Sequence, residues 1–263
     1  MALPVSLTIA GSDSGGGAGI QADIKTFSAL GTFGCSVITA VTAQNTTGVY
    51  GIHEIPLDII EAQIDAVLND LNPNAIKTGM LASIEVIELI ARKIKSSNTK
   101  HIVVDPVMIA KGGDKLIQDN AISHLIADLL PLSTVVTPNI PEAEVLSKIS
   151  ITNNADIENA AKIIHSMGPK YVVIKGGHST GTQSNDTIYD GQNFIILEAE
   201  RIPTKNTHGT GCTYASAIAA SLAKNNTIQA SIENAKKYVT SAIKNEPGLG
   251  NGHGPLNHFF MIN

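Results

Sequence analysis

Short apolar runs alternate with stretches of helical periodicity along almost the whole chain, and no other feature of the sequence restricts its fold as much. Strands are expected over residues 5–10, 35–43, 75–78, 101–104, 134–137 and 171–174, and Asp190–Gly191 joins a hairpin of 187–189 and 194–199. Helices are expected over 18–30, closed by Gly31, and over 57–71, where Ile60, Ile64, Val67, Leu68 and Leu71 recur at helical spacing. Others cover 84–95 with Ser83 as N-cap, 121–130, and 156–167 ended by Gly168–Pro169. Two Ala-rich helices follow, over 211–224 and 228–244. A β-α-β series of this kind builds a mostly parallel sheet between layers of helix. No internal repeat or linker interrupts it, so residues 1–263 are read as a single α/β domain.

With 263 residues, 43% of them hydrophobic, the chain can bury a full core. Its formal net charge of −5 and the absence of any Lys/Arg run argue against a nucleic-acid or anionic-membrane partner. A phosphorylated ligand would therefore be held by backbone amides, metal and a few lysines. The two cysteines, Cys35 and Cys212, lie far apart, the usage of a reduced compartment. The chain enters a strand at once, and its Ala-rich run is broken by Ser216, Ser221 and Lys224. A soluble cytoplasmic protein is expected.

The first strand runs into Gly11–Ser12–Asp13–Ser14–Gly15–Gly16–Gly17–Ala18–Gly19, and this turn opens a helix. Glycines let backbone approach a ligand, and a helix start offers free N–H donors. A P-loop would need Lys and then Ser or Thr after its last glycine, but Gly17 and Ala18 follow Gly16. A dinucleotide site would need an acid after the second strand, where Gln44–Asn45–Thr46 stands. Polar residues nevertheless gather after strands, where α/β sheets bind ligands: Asp13, Gln44, Met80 with its neighbours, Asp105, Asn139, Glu142 and Lys175.

Each candidate admits a chemical role and a structural one. His208–Gly209–Thr210–Gly211–Cys212, before an Ala-rich helix, is suited to an anion hole for a transferred phosphoryl group, or to close helix–sheet packing. Cys212 falls in that helix's first turn, where the dipole lowers a thiol pKa and favours a base; it also suits a small buried apolar site. Asp105 and Glu142, following neighbouring strands, suit hydrated Mg²⁺, or a cap and a solvated first-turn acid. Asp23 is read as a ligand contact or a surface acid. Gln44 has the donor and acceptors an aminopyrimidine edge requires, or serves a turn. Met80, Val107 and Met108 suit walls for a flat ring, or core. Residues 109–114, with Lys111, suit a flap that excludes water, or a plain turn. Lys175 suits phosphate, or decorates a strand end.

In this order the motifs resemble the ribokinase-like superfamily, and within it the hydroxymethylpyrimidine/phosphomethylpyrimidine kinases. The resemblance rests on the Ala10–Asp23 segment, on Thr39–Ala40–Val41–Thr42–Ala43–Gln44–Asn45–Thr46, and on Lys77–Thr78–Gly79–Met80. Val104–Asp105–Pro106–Val107–Met108, Thr137–Pro138–Asn139 and Gly209–Thr210–Gly211–Cys212 complete it, so it spans nearly the whole chain. It implies a three-layer α/β/α sandwich with a mostly parallel central sheet. It also implies an ATP- and Mg²⁺-dependent enzyme of thiamine biosynthesis, which phosphorylates 4-amino-5-hydroxymethyl-2-methylpyrimidine and then its monophosphate.

By the same resemblance Gln44, Asp23, Gly11, Met80 and Val107 would hold the pyrimidine, and Asn139 and Lys175 the nucleotide. Asp105 and Glu142 would organise the metal. Gly209, Gly211 and the Cys212 amide would form the anion hole, with the Cys212 side chain as base, and the protein would be a homodimer. Sugar kinases of this fold usually carry Asp where Cys212 stands. Pyridoxal kinases of the same fold are the nearest rival, disfavoured by Gln44, although a side activity on pyridoxine or pyridoxal fits. A non-catalytic nucleotide-binding protein would be expected to lack the metal acids or the hole glycines, and all are present.

Overall fold

The computed structural model describes residues 3–108, 118, 120–178 and 181–262. The expected flap at 109–114, Lys111 included, lies outside them. One nine-stranded sheet runs in the order β3-β2-β1-β4-β5-β6-β7-β8-β9. Its strands are β1 (Val5–Asp13), β2 (Phe33–Asn45), β3 (Gly48–Glu54), β4 (Ala75–Thr78), β5 (His101–Val104), β6 (Val135–Val136), β7 (Tyr171–Ile174), β8 (Asp186–Tyr189) and β9 (Phe194–Leu197). From β2 to β7 all neighbours are parallel, while β3, β8 and β9 join by antiparallel pairing.

Side-chain alternation along the central strands sorts the core into two halves. Ile76, Ile102, Val104, Val136, Val172 and Ile174 pack with α2 (Leu57–Leu71), α3 (Ile84–Ser96), α4 (Ala121–His124), α5 (Ile140–Ser147) and α6 (Asn154–Ser166). Ala75, Val103, Val135 and Val173 face α1 (Gly19–Ala29), α7 (Thr210–Ala223) and α8 (Ile228–Lys244). The result is the α/β/α sandwich expected from the sequence. Every residue of 213–223 in α7 is buried. Alanine and serine at most of these positions let the helix lie close to the sheet and to α1 and α8 at once.

Two local expectations are corrected, and a third holds in position only. The second strand extends to Asn45, so Gln44 lies within β2 rather than after it, and β3 pairs back on it. That return strand escaped the reading because most of β3 is exposed and lacks a strong apolar pattern. The expected helix at 121–130 winds as α4, then a π-helical Leu125–Leu129, then a 3₁₀ turn Leu130–Leu132 that carries Pro131. Ser83 does stand at the N-cap of α3, but its side chain makes no capping bond.

The chain passes from β1 outward to β2 and β3, then returns to the other side of β1 as β4. Strand order reverses between β1 and β4, so a crevice opens at their carboxyl ends. The site is found there.

Lys148 ends α5 in the left-handed region (φ 59°, ψ 27°) with its side chain exposed. An L-residue pays roughly 1–2 kcal/mol there that glycine does not. Lys148→Gly should therefore stabilise the chain by about 1 kcal/mol, raising the melting midpoint by roughly 2–4 °C. An unchanged or lower midpoint in a calorimetric scan would contradict this account of the cap.

Candidate active site

A cavity of about 530 Å³ opens over the ends of β1, β4 and β5 and the start of α7. Gly11, Gln44, Met80, Asp105, Val107, Asn139, Glu142, Lys175, Gly209, Gly211 and Cys212 all line it. Asp23 does not.

The substrate-side wall begins with a break in the β1 ladder. Pairing with β2 shifts register between Ala10 and Ser12, at Gly11, where a Cβ would come within 2.4 Å of Met80 Cε. Asp13, the last residue of β1, then gathers the glycine turn. Its Oδ1 accepts the Gly15 N–H at 2.8 Å, and its Oδ2 accepts those of Gly17 at 3.0 Å and Ala18 at 2.8 Å. The same Oδ2 meets His208 Nε2 at 2.8 Å. Burial acts to raise the Asp13 pKa, but the His208 bond and the amides outweigh it and hold the carboxyl below its ordinary value. On β2, the single Thr42 Oγ1 proton goes chiefly to the Ser12 carbonyl at 2.7 Å, with Gln44 Oε1 a longer second acceptor at 3.2 Å, while the Gln44 side-chain amide nitrogen has no partner among the described residues.

The opposite wall is the start of α7. Gly209 caps it at φ 79°, and a Cβ there would lie 1.7 Å from the Gly17 carbonyl oxygen, so the two glycine turns touch backbone to backbone. The N–H groups of Gly211 and Cys212 find no acceptor among the described residues, leaving two first-turn donors at the cavity.

Burial nevertheless pushes the Cys212 thiol up to about 11, the carboxylates of Asp23 and Asp105 adding to it and Lys77 opposing. This reverses the expectation of a lowered thiol pKa. A helix terminus supplies about half a charge, too little to offset desolvation beside two carboxylates.

The third group lies between β5, α5 and β7. Lys175 Nζ donates to Asp105 Oδ1 at 2.9 Å, and Thr137 Oγ1 donates to the same oxygen at 3.2 Å. A Cβ on Gly211 would sit 3.3 Å from both Asp105 Oδ2 and Lys175 Nζ, a tight approach that would press on this pair. Glu142 and Asn139 form a reciprocal capping box: Glu142 N donates to Asn139 Oδ1 at 2.9 Å and Asn139 N to Glu142 Oε2 at 2.8 Å. The solvated first-turn acid is thereby corrected, because Glu142 is buried; so is the capping role for Asp105, which pairs with Lys175. Asp105 Oδ2 accepts no bond from the described residues. Two buried carboxylates with hard oxygen donors fit a hydrated Mg²⁺.

Asp23 is the clearest correction. It is wholly buried and its oxygens accept from Thr8 Oγ1 (2.6 Å), Ser216 Oγ (2.6 Å) and Lys77 Nζ (2.9 and 2.8 Å). Four donors fill the acceptor capacity of a carboxylate, so nothing remains for a ligand. Sequence reasoning missed its partner Lys77, a charge inside the otherwise buried run Ala75–Ile76–Lys77–Thr78. It also gave no role to the His208–Asp13 bond or to the C-terminal loop. In that loop His253 N donates to Thr46 O at 2.8 Å and His208 N donates to Gly254 O at 3.0 Å. Glycines at alternate positions 248, 250, 252 and 254 were the available signal.

Burial, with Asp105 adding and Lys175 opposing, pushes the Glu142 carboxyl up to about 7 from an ordinary 4.5. The folded chain thus holds this proton more tightly than the unfolded chain, and ionising it costs stability as pH climbs through that window. Glu142→Gln keeps the capping acceptor without the charge. Its melting midpoint should exceed that of the parent at pH 8, by about 1–3 kcal/mol in stability, with a smaller gain at pH 5. A gain that does not depend on pH would refute the raised pKa.

Comparison with known proteins agrees with this geometry. A family model described as phosphomethylpyrimidine kinase matches residues 13–257. The hydroxymethylpyrimidine/phosphomethylpyrimidine kinase of Bacillus subtilis is 50% identical, the match covering 98% of this chain and 96% of that protein. A thiamine biosynthesis bifunctional protein of Geobacter sulfurreducens is 51% identical over 96% of this chain and 51% of its own length. Among solved structures, an ADP complex of Bacillus subtilis pyridoxal kinase superposes with a TM-score of 0.93 at 39% identity, covering 99% of both chains. With so much of its length matched, and with the glycine turns, carboxylates and helix start meeting in one cavity, the chain belongs to the phosphomethylpyrimidine kinase family.

Proposed function

We propose that this protein transfers the γ-phosphoryl group of ATP to 4-amino-5-hydroxymethyl-2-methylpyrimidine, and then a second one to the resulting monophosphate, within thiamine biosynthesis. One observation carries the reading. The Gln44 amide, with an unsatisfied NH₂, shares a cavity with the free Gly211 and Cys212 amides at the start of α7. An aminopyrimidine held by the first would present its hydroxymethyl group to the second.

Gln44 reads the amino and ring-nitrogen edge, while Gly11, Met80 and Val107 bound the ring. Asn139 and Lys175 meet the nucleotide; Asn139 Oδ1 is committed to its cap, so its NH₂ is the group on offer. Gly209 shapes the hole, and the Gly211 and Cys212 N–H groups stabilise charge growing on the transferred phosphoryl. In the first step the Cys212 thiolate takes the proton of the substrate hydroxyl at Sγ as the new oxygen–phosphorus bond forms and the γ-phosphorus–ADP bond breaks, ADP leaving with the electron pair. With its pKa pushed up to about 11, only a small fraction of Cys212 is thiolate at neutral pH, and the first step draws on that strongly basic minority form, its rate rising with pH. Asp105 and Glu142 would hold Mg²⁺, which when bound neutralises charge on the phosphate oxygens.

Organisation as one domain, assembly as a homodimer and residence in the cytoplasm belong to the same proposal. The single sheet supports the first and family resemblance the second. The two unpaired cysteines support the third. Among the described residues no helix is long and apolar enough to cross a membrane. A secondary activity on pyridoxal is supported by the likeness to a pyridoxal kinase.

Incubating the purified protein with Mg·ATP and hydroxymethylpyrimidine, its monophosphate or pyridoxal, with products identified by mass, tests the assignment. Pyrophosphorylated pyrimidine is expected; phosphate on pyridoxal alone would overturn the reading. Cys212→Ser should lower kcat on the alcohol by about 100-fold or more with the KM for ATP nearly unchanged. Gln44→Leu should raise the KM for the pyrimidine roughly 10-fold or more and leave ATP binding alone.

A further inference from the structure

The ammonium of Lys77 has no place in the mechanism above, although it is the most completely buried charge at the cavity. Its side chain is 0% exposed and pairs with Asp23, itself 0% exposed. Lys77 also lines the cavity, as do its neighbours Ala10, Gly11 and Met80, while Asp23 behind it does not. Strand alternation explains the placement: Lys77 shares the face of Ala75, which packs toward α1 and α7, and those helices supply Asp23 and Ser216. Nζ carries three N–H donors. Asp23 takes two, and no other partner exists among the described residues. A Cβ on Gly79 would come within 2.8 Å of Nζ, so a glycine keeps this approach clear.

Resting on the proposed two-step reaction, we infer that Lys77 is a catalytic residue of the second step, its third N–H binding the phosphate oxygens of the pyrimidine monophosphate. The two acceptors differ in what they demand of the site. The alcohol enters neutral. The monophosphate brings close to two negative charges into a cavity already lined by Asp13, Asp105 and Glu142. Among the described residues the other ammonium lining the cavity, Lys175, is already paired with Asp105. Lys77 is held in a fixed position by a carboxylate whose remaining capacity is filled by Thr8 and Ser216, and because its side chain is 0% exposed, the dianion reaches Nζ only as the side chains over it give way. In this step an acceptor phosphate oxygen forms the new bond to the γ-phosphorus while the bridging bond to ADP breaks. ADP leaves with the electron pair, and no proton needs a base.

The test compares the two acceptors in the parent chain, in Lys77→Met/Asp23→Asn and in Gly79→Ala. The double variant removes both buried charges together, and Gly79→Ala crowds Nζ without removing any. In each, kcat/KM for the monophosphate should fall at least ~10 times further than that for the alcohol. The KM for ATP should stay within about threefold of the parent. Calorimetric binding without ATP should show the same selective loss for the monophosphate. Equal losses on both acceptors, or none, would overturn the inference while leaving the two-step kinase intact. Should the double variant fail to fold, Gly79→Ala decides alone. A parent chain that phosphorylates neither pyrimidine overturns both readings.

Discussion

A single carboxylate joins the two halves of this site. Asp13 accepts three amides of the first glycine turn and the His208 ring from the approach to α7, groups almost two hundred residues apart in the chain. Glycine-rich turns lose much conformational entropy on ordering, and a buried acceptor that collects their N–H groups offsets that cost with several charge-assisted bonds. Around this centre the Gly209 and Gly17 backbones touch, and Gly254 and Pro255 pack behind them. The substrate wall and the anion-binding wall are therefore one rigid object rather than two loops that happen to face each other.

A second buried carboxylate performs the matching task beneath the cavity. Asp23 ties α1 to β1 through Thr8, to α7 through Ser216 and to β4 through Lys77. Ser216 lies one helical turn beyond Cys212, so the orientation of the helix that presents the thiol is set by this network. A buried ion pair seldom adds net stability, and losing one partner costs about 3–5 kcal/mol because the other charge is left unpaired. Its worth here is positional: it fixes an ammonium and a helix start relative to the same cavity. The cavity wall balances Lys77 and Lys175 against Asp13, Asp105 and Glu142, and burial pushes the thiol and Glu142 toward their neutral forms.

Much of this was legible in the residues, and the failures share a cause. Strand and helix periods located the parallel core, and the order of polar motifs after successive strands located the sheet edge where they meet. What misled were residues whose surroundings come from distant segments. Asp23 reads as a ligand contact until Thr8, Ser216 and Lys77 close around it. Cys212 reads as an activated thiol until burial beside Asp23 and Asp105 raises it. Glu142 reads as a solvated first-turn acid until α5 folds it into the wall.

The sequence by itself determined the three-layer architecture, the two glycine turns and the identity of most cavity residues, because periodicity, turn chemistry and capping act within a few residues of one another. Only the tertiary structure decided which acids are free and which are consumed, how basic the thiol is, and that Lys77 faces the cavity. Those properties follow from desolvation and from hydrogen-bond partners drawn from four or more separate elements, and no local stretch of chain encodes the distance between them.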